Sequence, residues 1–130
     1  MGLDMYAWSV AEEDVIDDNN IARELDGTAK HSELFYWRKH YDLHGWMKDL
    51  YYSRGGDVSE QFNCVKLRLY PEDLDALELD IIENNLPATQ GFFFGVDYSD
   101  EGSREYDLSF IKKARMEILD GRAVYYDSWW

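Results

Sequence analysis

The chain has a single cysteine, Cys64, which excludes an intramolecular disulfide. It has no apolar run near the roughly 20 residues that cross a bilayer as a helix, and no membrane partner is expected. Residues 1–10 lack a basic start and contain Asp4, unlike a secretory signal, so the expected location is cytosolic. Basic residues are scarce: 13 Lys and Arg stand against 27 Asp and Glu, for a formal net charge of −14. A field of that sign repels nucleic acid and anionic lipid and draws cationic surfaces. It also disfavours self-association through acidic faces, while an apolar face stays free to pair, so monomer and dimer both remain open.

Motifs of catalysis are missing too. His40 and His44 have the i, i+4 spacing of two metal ligands on a helix, but Tyr41 stands where the zinc-protease pattern needs Glu. No metal site is expected. Cys64 has no readable base to activate it and is read as a small buried residue. Gly91 and Gly95 bracket three phenylalanines and open no helix, so no nucleotide fingerprint is present and no cofactor is implied. Asp127 and Ser128 have no histidine at a triad spacing.

What is present is enough for a core. Apolar residues make up 45 % of the 130 and aromatics 16 %, a composition that folds without disulfides or metal. The length fits one domain over 1–130. Residues 3–10 read as an inner strand, apolar on both sides. Residues 11–31, acidic and with turn formers Asn19, Asn20 and Gly27, read as an excursion, a long hairpin or loop with a mobile tip. A long helix is predicted over 32–53, with Ser32 as N-cap, a stripe of Leu34, Trp37, Tyr41 and His44, and a second of Leu43, Trp46, Met47 and Leu50. Residues 64–70 alternate as a half-exposed strand. Pro71 then opens a helix to about residue 85.

Residues 86–95 read as a short strand or ordered lid, and 98–104 as a polar loop. A third helix is predicted over 103–120, with Phe110, Ile111, Ala114 and Ile118 inward and Gly121 as its stop. Residues 123–130 form the last strand. The expected fold is α+β: three helices on one face of a small, mostly antiparallel sheet.

The helix after Pro71 carries Glu72, Asp73, Asp75, Glu78, Asp80 and Glu83 with no basic residue between. Leu74, Leu77 and Ile81 recur at helical spacing, which predicts one buried face and one of negative charge. In the block Phe35-Tyr36-Trp37-Arg38-Lys39 not every side chain can face inward, and exposed Tyr36 and Arg38 have the chemistry of binding anchors.

The MGLDMY start, the ELFYWRKHYDLHGWM block, the GFFFG segment and the YYDSWW end together resemble a family of small uncharacterised proteins of tailed bacteriophages. That resemblance implies a phage product acting in the host bacterial cytoplasm and transfers no catalytic residue. The leading expectation is a non-enzymatic acidic protein that binds a basic surface of a host protein, as a nucleic-acid mimic or anti-defence inhibitor. The six carboxylates, Tyr36 and Arg38 would form the contact, with no direct binding of nucleic acid. The alternative is a small-ligand binder or enzyme whose pocket gathers Arg38, His44, Gln90 and Asp127, so enzymatic activity is left open.

Overall fold

The computed structural model describes residues 3–17, 20–21, 31–56, 61–63, 65–87 and 101–130. Strand β1 (Asp4–Ala11) leads through a short 3-10 turn (Glu12–Asp14) into a hairpin of β2 (Val15–Asp17) and β3 (Asn20–Ile21). Then come β4 (His31–Arg38), α1 (Tyr41–Ser53), β5 (Leu67–Leu69), α2 (Pro71–Ile82), α3 (Glu101–Leu119) and β6 (Arg122–Trp129). The main sheet has the order β4-β1-β6-β5, and each neighbouring pair is antiparallel. This is the expected α+β fold.

β1 is an inner strand, as its two apolar sides predict. Leu3, Met5 and Ala7 face the helices together with Phe35, Trp37, Leu67, Leu69, Val124 and Tyr126. Successive side chains of a strand alternate between faces, so Tyr6, Trp8, Tyr36, Tyr125 and Asp127 fall on the other side. There a smaller cluster of Val10, Ala123 and Tyr125 packs with Trp8 and Val15 of the hairpin. The helices bring Leu43 and Met47 from α1, Leu74, Leu77 and Ile81 from α2, and Phe110, Ile111 and Ala114 from α3 to one core.

The long helix over 32–53 is corrected by the structure. Its first part is the edge strand β4, paired with β1 from Asp4↔Arg38 to Val10↔His31 with a register shift between Ala7 and Trp8. Phe35 and Trp37 are buried while Tyr36 and Arg38 are exposed, a period of two rather than of 3.6. Lys39 turns the chain at φ 58, a left-handed conformation no helix passes through. α1 starts only after it, with His40 as N-cap. The stripe Leu34–Trp37–Tyr41–His44 therefore does not exist, whereas Leu43, Trp46, Met47 and Leu50 do pack on the core.

Other boundaries move less. The strand expected over 64–70 is confined to Leu67–Leu69, and α3 starts at Glu101 inside the expected polar loop. Gly121, at φ 83, ends α3 as expected. Cys64, Gln90 and the whole GFFFG segment lie outside the described residues.

Candidate functional site

Pro71 takes the first position of α2, where no intrahelical N–H bond is lost. The Asp73 carboxylate accepts from the Tyr70 backbone N–H at 2.8 Å, and Glu72 and Asp73 in the first turn complement the helix dipole. With Leu74, Leu77 and Ile81 buried, the outer face presents Glu72, Asp75, Ala76, Leu79, Ile82 and Glu83.

That face differs from a continuous sheet of negative charge in two ways. Arg115 of α3 bonds Glu78 at 2.7 and 3.0 Å and Asp75 at 2.7 Å. These bonds hold the Glu78 carboxyl below its ordinary range and the Arg115 guanidinium firmly charged. Asp73 pairs with Arg54, and Asp80 accepts the Trp46 indole N–H at 2.8 Å. Glu72 and Glu83 have no basic partner among the described residues. The second departure is apolar: Leu79 and Ile82 are each 54 % exposed between the charges. Ala76, Leu79 and Ile82 already stand at three-residue intervals in the sequence, a signal masked by the acids around them.

Tyr36 and Arg38 lie on the far side of the sheet from α2. The open face there is built by register: Asp4 opposes Arg38, and Tyr6 opposes both Tyr36 and Asp127. The Tyr36 hydroxyl donates to Asp4 Oδ1 at 2.6 Å, which pushes its pKa up to about 12. Tyr6 stacks on Trp8 at 5.4 Å and meets Tyr36 at 5.3 Å. Burial, and then the charges of Asp4, Glu33 and Asp127, push the Tyr6 phenol up.

Of the four residues in the alternative pocket, Arg38 and Asp127 share this open face. His44 lies on the helix side of the sheet, beneath Tyr126. Tyr126 donates its hydroxyl to His44 Nδ1 at 2.7 Å, and an imidazole N–H reaches the Phe62 carbonyl. Burial, with the Lys48 charge, pulls the His44 pKa down to about 4. His40 points elsewhere. Its Nδ1 accepts the Leu43 N–H at 3.4 Å, which leaves Nε2–H to donate to Asp107 Oδ2 at 2.8 Å. The other Asp107 oxygen accepts the Trp37 indole N–H at 3.0 Å. The two imidazoles thus serve two separate buried networks, which sequence reasoning missed because both Asp107 and Tyr126 are distant in the chain. Among the described residues no three His, Cys, Asp or Glu side chains could hold a metal ion.

Comparison with protein-family models, curated proteins and solved structures finds no match. Among the described residues no helix is long and apolar enough to cross a membrane.

Proposed function

We propose that this is a non-enzymatic binding protein whose α2 outer face docks on a basic protein surface. The observation that supports this best is the pair Leu79 and Ile82, exposed within a rim of Glu72, Asp75, Glu78 and Glu83. Desolvated apolar anchors surrounded by charge are how interfaces divide labour: the centre sets residence time, and the rim sets steering and partner choice. The net charge of −14 supplies long-range attraction to a cationic partner. The likeness to small tailed-phage proteins makes a nucleic-acid-binding host protein the partner class to try first, with the carboxylates standing in for phosphates.

The test is capture of bacterial proteins on the immobilised chain across a salt series, with duplex DNA as competitor. A basic partner should be released both by salt and by DNA. Glu72→Gln, Asp75→Asn and Glu83→Gln together should slow its association, and Leu79→Ser with Ile82→Ser should speed its dissociation. Capture that ignores salt and tolerates the triple amide variant would reject the reading.

A further inference from the structure

Beside the acidic face, α1 and the end of α2 flank a shallow, open groove of about 410 Å3 lined by Trp46, Asp49, Leu50, Ser53, Asp80, Asn85 and Pro87. Its chemistry is one-sided, since two carboxylates and an indole line it and none of these residues is basic. The Trp46 indole N–H binds Asp80 Oδ2, which fixes both side chains against each other. Asp80 Oδ1 and both oxygens of Asp49 take no hydrogen bond from the described residues. Leu50 and Pro87 add apolar wall, and the Ser53 hydroxyl donates to the Leu50 carbonyl of its own helix at 2.7 Å.

We propose that this groove is a socket for one arginine side chain of the basic partner. The inference rests on the binding function argued above and names the residue type that function recognises. A guanidinium is planar and carries donors in a fork, so it can lie along an indole while meeting carboxylate oxygens at its edge. Its aliphatic stem would cover Leu50 and Pro87. An ammonium is a compact, strongly hydrated charge and fits such a slot less well. The socket lies on the α1 side of α2, next to the rim that steers the partner in, so one cation can anchor what the whole field attracts.

The experiment uses the full chain and N-acetyl-arginine amide, followed by NMR at the Trp46 indole N–H, which is assigned by its loss in Trp46→Phe. The signal should shift and saturate with a dissociation constant of about a millimolar, as expected for so small a ligand. The lysine amide should bind more weakly, and the uncharged citrulline amide should leave the signal in place. Asp80→Asn keeps an oxygen for the indole N–H but removes the charge. It and Asp49→Asn should each weaken arginine binding about tenfold. Thermal melts of both variants confirm that they fold. An unmoved indole at tenfold higher arginine amide, an equal response to citrulline or lysine, or unchanged binding by both variants would each overturn the socket. Failure here with salt-sensitive capture intact rejects the socket alone. Salt-insensitive capture with a saturating indole shift rejects the wider reading of a charge-steered partner.

Discussion

Among the described residues the buried carboxyl group is Asp107, which is 1 % exposed and held by two donors, Trp37 and His40. A buried carboxylate that loses a donor keeps its desolvation cost, so removing the indole N–H costs more than the bond itself is worth. Trp37→Phe should therefore destabilise by about 1–3 kcal/mol although it keeps a ring in the core, and Trp37→Ala by about 3–5 kcal/mol. Urea unfolding of the two variants checks both figures. His44 makes a different prediction. Its folded pKa, about 4, lies below the ordinary 6.5, so between those values the unfolded chain binds more protons than the native one. Its contribution is complete above pH 6.5 and is lost as pH falls toward 4, on the order of 3 kcal/mol in all. His44→Gln should flatten stability between pH 6.5 and 4 relative to the parent chain, read from melts across that range. An unchanged slope would show that His44 is solvated.

At the scale of elements, helix ends decide how the sheet is met. Gly121 takes φ 83 with nothing within 4 Å of where a Cβ would stand. Gly121→Ala should thus cost about 1 kcal/mol from backbone strain alone, measurable as a lowered melting midpoint without loss of the fold. This end was legible in the sequence, and so were the inner face of α3 and the buried stripe of α2, because helical periodicity there is uninterrupted. Residues 31–38 were not legible as a strand. Leu34, Trp37, Tyr41 and His44 satisfy a helical spacing by coincidence, while the strand signal rests on only Phe35 and Trp37 alternating with Tyr36 and Arg38. What settles the choice is pairing with β1, a contact about 30 residues away that no local pattern contains. The acidic site was legible as charge, but its internal cations Arg54 and Arg115 were not, because they arrive from other helices.

Across the whole molecule, two kinds of electrostatics oppose each other. The local pairs, Arg54 with Asp73, Arg68 with Glu12, and Arg115 with Asp75 and Glu78, are attractive, and all but the part-buried Arg54–Asp73 pair sit at the surface. Exposed pairs of this kind are each worth about 0–1 kcal/mol, so salt has little to take from them. The excess of 14 negative charges is repulsive and acts over longer distances. Screening with a Debye length of about 8 Å at physiological ionic strength weakens the distant repulsion before it weakens contacts at 2.7 Å. Raising salt from low to physiological strength should therefore raise the melting temperature by a few degrees. The same change should weaken capture of a basic partner, so stability and binding move in opposite directions along one salt axis. A melting temperature that falls with salt would mean that the arginine-centred pairs, rather than the net charge, govern how this fold responds to its own field.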